Sequence, residues 1–329
     1  MEQRWPVVGH EWAVQRLRHA VKHHELPHAL LITGPANVGK TTLARALIAA
    51  LLCTHAEDDQ RPCGTCLNCR KLASGNAIDF MEVSPTEEGG SLKIEQIRAV
   101  ERFLALTPNQ GRYKVVLLTQ FERATPGAAN ALLKTLEEPP TYAHLVLLAS
   151  DPDLLLPTIV SRTQQIALRP VPYTLLMRAL TEQWHVDTTK AERLARISGG
   201  RAGWAIQAAQ ADSDEGWEEA LIVLLDVLRQ DLPARFTTAH ALAADPVKLS
   251  GYLEHWLAAW RDVLHMQTES GRSSTYAAYA GKLSALAEHT SLSSTLELLH
   301  ELDQVQTMLL TNASPLLVVE NLLLDLPEL

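Results

Sequence analysis

Gly34-Pro35-Ala36-Asn37-Val38-Gly39-Lys40-Thr41 is the stretch that decides how this chain reads. It fits G-x-x-x-x-G-K-[ST], and it lies between an apolar run, residues 28–33 (HALLIT), and a helix-forming run, residues 42–52 (TLARALIAALL). Each position has a mechanical reason. Gly34 and Gly39 permit the turn that aims N–H groups at phosphate oxygens, and the following helix adds the positive end of its dipole. Lys40 reaches the β- and γ-phosphates, and the Thr41 hydroxyl completes a magnesium shell. The motif by itself recurs by chance. The strand–loop–helix setting is what marks a nucleotide-binding loop, the alternative being an inherited loop that no longer binds.

Outward from the loop, strand and helix patterns alternate as far as residue 168. Residues 79–83, 114–118, 144–149 and 164–168 are further strand candidates, near-continuous apolar runs of the kind covered on both faces. Between them lie two helices. Residues 92–106 carry apolar side chains at 94, 97, 100 and 104; residues 125–138 have a Thr cap, Pro126 in the first turn and Pro139-Pro140 as a stop. The alternation predicts an α/β domain with a parallel, doubly wound sheet over 1–168. Arg169-Pro170-Val171-Pro172 then punctuates the chain. A small helical unit, 169–212, follows, broken at Ser198-Gly199-Gly200. A longer all-helical domain is expected over 213–329, with five or six helices including 247–266 and 315–326.

Composition agrees with several domains. The chain has 329 residues, 47% of them hydrophobic, enough to fill two or three cores. A formal charge of −9 argues against coating nucleic acid by bulk electrostatics, so any DNA contact is local. The opening MEQRWPVVGHEWAV has no apolar signal region, and no run approaches the roughly 20 residues of a membrane span. A cytoplasmic protein without membrane contact is expected.

The strand at 115–118 (VVLL) ends in Thr119 and Gln120. P-loop ATPases carry an Asp there for magnesium, often with a Glu that polarises the attacking water. Thr brings no charge and Gln cannot act as a base, so weak or absent intrinsic hydrolysis is expected. Glu122, two residues on, leaves open a substitution from a shifted register.

All four cysteines fall in Cys53-x9-Cys63-x2-Cys66-x2-Cys69. The two tight x2 gaps suit a tetrahedral zinc, and four sulfurs leave no open position, so the site would be structural. Unliganded thiols and an iron–sulfur cluster are the alternatives. Disulfides are not expected of a cytosolic chain. Residues 24–28, HELPH, match H-E-x-x-H, but Pro27 breaks the continuous helix a metalloprotease needs. Trp256 and Trp260, at i and i+4, are expected in a core rather than on a base-stacking surface.

The segment AANALLKTLEEPP (Ala128–Pro140), the opening VVGHEWAV (Val7–Val14), the cysteine spacing, Ser161-Arg162-Thr163 and NASPLLVVENLL (Asn312–Leu323) together resemble bacterial clamp-loader subunits, the AAA+ proteins of the DNA polymerase III holoenzyme. The likeness spans essentially the whole chain. It implies a RecA-like domain, a three-helix lid and a helical collar that joins a five-subunit ring. It implies nucleotide contacts at Val8, Gly34, Asn37, Val38, Gly39, Lys40, Thr41 and Thr42, with ATP and Mg2+ left open as ligands. Zn2+ would sit on Cys53, Cys63, Cys66 and Cys69. Arg162 would be an arginine finger reaching a neighbour's ATP, or else a surface arginine. The implied partners are gamma/tau and delta subunits, the sliding clamp and, through the assembled complex, primed DNA.

Within the family, motor (gamma/tau) subunits carry Asp-Glu where this chain has Thr119-Gln120, and an Arg in the lid that touches the γ-phosphate. Here the lid reads Gly199-Gly200-Arg201-Ala202-Gly203, which sets Gly203 at that place but leaves Arg201 open. The long extension seen in tau is also lacking. These departures point to the delta-prime type, a stator whose own ATPase is weak or absent. The intact Lys40 departs from the most degenerate delta-prime sequences, and Thr163 replaces a common Cys. A gamma/tau-like motor and a purely structural adaptor are the other readings.

Overall fold

Strands β1 (Ala29–Thr33), β2 (Phe80–Val83), β3 (Lys114–Leu118), β4 (Ala143–Ala149) and β5 (Gln164–Ala167) form one parallel sheet in the order β2-β3-β4-β1-β5. The computed structural model describes residues 5–86, 90–210, 216–268, 274–310 and 313–327. β1 therefore lies between β4 and β5, and the chain reverses its winding direction beside it. At such a switch point the carboxyl ends of an open parallel sheet leave a crevice for ligand.

Alternate side chains of each inner strand feed opposite layers, as the pleat requires. Val115, Leu117, Val146 and Leu148 pack with α1 (Glu11–His23) and α2 (Lys40–Leu52) through Leu17, Val21, Leu43 and Leu47. After the short α3 (Leu67–Ala73) come α4 (Ile94–Leu104) and α5 (Pro126–Glu137). Their Ile97, Val100, Leu132 and Leu136 cover the other face, against Val116, Leu118, Leu145 and Leu147. Thr125 caps α5 by accepting from the Ala128 N–H at 3.2 Å. The α/β expectation holds. One part of it needs correction: only β1, β3 and β4 are buried along their whole length. β2 and β5 are edges with one neighbour each, and Glu82, Gln164, Gln165 and Ala167 are exposed.

Beyond α6 (Pro157–Val160) and β5 the described chain is helical. It runs through α7 (Tyr173–Trp184), α8 (Thr188–Ile197), α9 (Ala202–Gln210), α10 (Trp217–Val227) and α11 (Leu232–Ala243). It continues in α12 (Pro246–Gln267), α13 (Ala280–His289), α14 (Leu292–Leu310) and α15 (Pro315–Asp325). Two compact units result, residues 1–186 with 200–206, and residues 187–199 with 207–329. The segment 169–212 contributes to both. Its residues 211 and 212, and Asn312 of the closing motif, lie outside the described residues. In the second unit Trp256 and Trp260 are fully buried on α12, and Trp256 Nε1 donates to Ala220 O at 2.8 Å. They are core residues, not an exposed platform.

Candidate functional site

The loop of residues 34–41 stands at the carboxyl end of β1. Gly34 has φ +140°, Asn37 +59° and Gly39 +116°, left-handed values that favour glycine and tolerate asparagine. A Cβ on Gly34 would lie 2.4 Å from Leu168 O, so no other residue fits without moving the end of β5. Gly34 N–H donates to Ser150 O at 3.1 Å, which ties the loop to the end of β4. Lys40 Nζ donates back to Gly34 O at 2.5 Å and Pro35 O at 2.8 Å. Burial pulls the Lys40 ammonium down to about 8, against the opposing pull of Glu122. Thr41 and Thr42 are exposed in the first turn of α2, and Val38 is buried beneath the loop.

Two residues outside the motif, His10 and Gly203, brace this loop. His10 is buried, and its Nε2 lies 3.1 Å from Val38 O, so the ring donates to the loop. Burial lowers the imidazole pKa, consistent with a neutral ring. Val8 stands half-buried two residues earlier. Gly203 N–H donates to Asn37 O at 2.8 Å, and a Cβ at Gly203 would lie 2.9 Å from that oxygen. Gly203 thus reaches the loop through its backbone, while the Arg201 guanidinium lies 5.9 Å from the Trp204 ring.

Thr119 directly follows β3, its N–H donating to Val83 O at 3.0 Å, and Gln120 comes next, exposed with φ +49°. That left-handed residue turns the chain into a short 3-10 helix, Phe121–Arg123. Glu122 is thereby brought back to the sheet, where its Oε1 accepts from Ser150 N–H at 3.3 Å. Glu122 Oε2 and Ser150 Oγ are both sealed from solvent without a hydrogen-bond partner. Ser150 was missed in the sequence, although a polar residue closing the apolar run 144–149 marks the end of a strand.

The four cysteine sulfurs all lie within 4.8 Å of one another. Cys53 and Cys66 Sγ are 3.9 Å apart, Cys63 and Cys69 Sγ 4.0 Å. Tetrahedral bonds of about 2.3 Å would separate sulfurs by about 3.8 Å, so the set fits a metal ion. Backbone N–H groups of Cys63, Cys66 and Cys69 each point at a preceding cysteine sulfur at 3.3–3.4 Å, and Gly64, with φ +73°, makes the turn between. Burial pushes the Cys66 thiol up, yet bonds from Cys69 and Thr54 outweigh it and hold it at about 6. Burial also pushes Cys69 up, and there it prevails. The HELPH segment forms no metal helix: α1 ends at His23, and His24 is already left-handed.

Arg162 precedes β5, so it belongs to the opposite end of the sheet from the loop. The register pairs Leu30 with Gln164 and Thr33 with Ala167, which sets Arg162 level with the start of β1. That level is residue 28, and the six residues from there to Gly34, at about 3.3 Å each, put roughly 20 Å between them. The guanidinium cannot serve its own chain's loop. It bonds Glu137 Oε1 at 2.6 Å and Thr158 O at 3.1 Å.

The family described as "DNA polymerase III, delta subunit" matches residues 9–172. The chain is 39% identical over 183 residues to DNA polymerase III subunit delta' of Pseudomonas aeruginosa, covering 53% of each protein. It is 32% identical over 214 residues to the Bacillus subtilis delta' subunit, 65% of this chain and 63% of that one. The tau/gamma subunit of Haemophilus influenzae is 37% identical over 174 residues, 53% of this chain and 25% of that one. Less than two thirds of each relative is therefore spanned.

Proposed function

The chain belongs to the bacterial DNA polymerase III clamp-loader family of AAA+ proteins, and we propose that within it this is a subunit of the delta-prime type. It would act as a cytoplasmic stator that joins gamma/tau and delta subunits, and the assembled complex would load the sliding clamp onto primed DNA. Residues 169–212 would be the lid and 213–329 the collar that holds the ring together. Zn2+ on Cys53, Cys63, Cys66 and Cys69 would staple the segment after α2. A metal with four closed thiolates supplies folding energy, not chemistry.

The observation that carries this reading is the position of Arg162, at the end of the sheet remote from its own loop. Too far to serve its own loop, a guanidinium delivered there to a neighbouring subunit's nucleotide would stabilise charge developing on the γ-phosphoryl oxygens. The chain's own site has the opposite character. Gly34, Gly39, Lys40 and Thr41 would hold the phosphates of ATP and its Mg2+, His10 and Gly203 would brace the loop, and Thr119-Gln120 offers no base for water.

A gamma/tau-like motor subunit is the second reading, favoured by the complete loop with Lys40 on it. Turnover decides between them. The purified chain should hydrolyse ATP little or not at all, while its complex with motor and delta subunits should respond to clamp and primed DNA. Hydrolysis by the isolated chain at ordinary AAA+ rates, abolished by Lys40→Ala, would overturn the stator reading.

A further inference from the structure

We propose that Glu122 supplies the magnesium-facing carboxylate of this nucleotide site, in place of the acid missing at Thr119 and Gln120. The proposal rests on the reading of residues 34–41 as a working phosphate loop. It makes the ligand a magnesium–nucleoside triphosphate complex rather than a bare nucleotide.

A continuous set of bonds puts the carboxylate at the loop. Glu122 Oε1 accepts from Ser150 N–H, Ser150 O accepts from Gly34 N–H, and Gly34 O accepts from Lys40 Nζ. The three strand ends that converge here are those of β1, β3 and β4, neighbours in the sheet. Glu122 Oε2 is withdrawn from water and bonded to nothing, beside a Ser150 hydroxyl in the same condition. Two buried oxygens without partners are costly unless something arrives to use them. A hydrated divalent cation suits such a pair, because it prefers carboxylate and hydroxyl oxygen and keeps several of its waters. The left-handed Gln120 is what makes the arrangement attainable. It shortens the path from strand to 3-10 helix, so that an acid two residues late still returns to the strand ends.

Glu122 also balances Lys40, whose ammonium burial weakens and whose charge the carboxylate supports. The site would therefore hold the metal complex yet lack a second acid to polarise water. Retention without fast hydrolysis follows.

The test is ATP affinity of the full-length chain, measured calorimetrically in MgCl2 and in EDTA, for wild type, Glu122→Gln and Lys40→Ala. Wild type should bind about tenfold more tightly with magnesium, the factor one charge-assisted contact supports. In Glu122→Gln that gain should vanish. Binding in EDTA should tighten, since a negative charge beside the phosphates is gone, and the pH at which affinity falls off should move below about 8. An undiminished magnesium gain in Glu122→Gln overturns the proposal, as does loss of all binding, which would make Glu122 a brace for Ser150 alone. Failure of the phosphate-loop reading looks different: wild type would then bind no ATP in either buffer, and Lys40→Ala would change nothing.

Discussion

Arg162 Nη2 lies 2.6 Å from Glu137 Oε1, and the same guanidinium donates to Thr158 O through Nη1. The acid comes from the last residue of α5, within the LEEPP stretch, and the base from the turn before β5. Both side chains are partly exposed, so the pair contributes at most about 1 kcal/mol to folding. Its consequence is positional. An arginine destined for a neighbour's phosphate must leave or share Glu137.

Glu137→Gln should therefore leave the melting temperature nearly unchanged and raise ring-stimulated ATP turnover by up to about fivefold, the rate equivalent of about 1 kcal/mol. Reconstituted complexes of equal stoichiometry give the comparison. A fall in turnover would show that Glu137 orients the guanidinium instead of competing for it.

Protein purified without chelator should carry about one zinc per chain, since four thiolates saturate its tetrahedral preference. Chelation should make all four cysteines reactive to a thiol reagent and lower the melting temperature. Elemental analysis below about 0.3 equivalents, with every thiol reactive from the start, would remove zinc from the account.

ATP affinity should depend on pH through Lys40. The phosphates need the ammonium, which in the ligand-free chain titrates at about 8. Binding is then level below that pH and weakens roughly tenfold per unit above it, until the bound-state value is reached. Titrations from pH 7 to about 9.5 would show the slope, and Lys40→Ala should flatten it.

Arg235, on α11 and 1% exposed, donates to Gln230 O, Leu323 O, Leu326 O and Pro327 O, at 3.2, 2.8, 2.7 and 3.1 Å. Three of these carbonyls lie at the end of α15 or just past it, where no intrahelical donor remains. Arg235→Ala strands them without water, and the helical second unit should lose about 3 kcal/mol or more. Thermal melts of the two chains measure this; Arg235→Lys should restore only part, lacking the fork of donors.

The loop, the strand–helix alternation and the cysteine set were legible because each is local: spacing along the chain dictates them. The edge positions of β2 and β5 were not, since a period-two pattern says which face a residue takes and nothing about how many neighbours a strand has. Gln164-Gln165 was the available hint. Glu122 could only be left as a register alternative, because its return to Ser150 depends on one left-handed residue, Gln120, that is neither Gly nor Asn. The bonds of Gly203 to Asn37 and of Arg162 to Glu137 join residues far apart in sequence, which no window along the chain can pair.

The trans-acting role proposed for Arg162 is tested most directly by ATP hydrolysis in clamp-loader complexes of identical stoichiometry carrying wild-type chain, Arg162→Ala or Arg162→Lys, with clamp and primed DNA present. Assembly should be unaffected. Hydrolysis at the site this subunit abuts should fall by roughly 10³–10⁵ in Arg162→Ala, with poor rescue by lysine, a point charge without the planar fork. Unchanged hydrolysis and clamp loading in Arg162→Ala would contradict the account and leave the chain a structural adaptor.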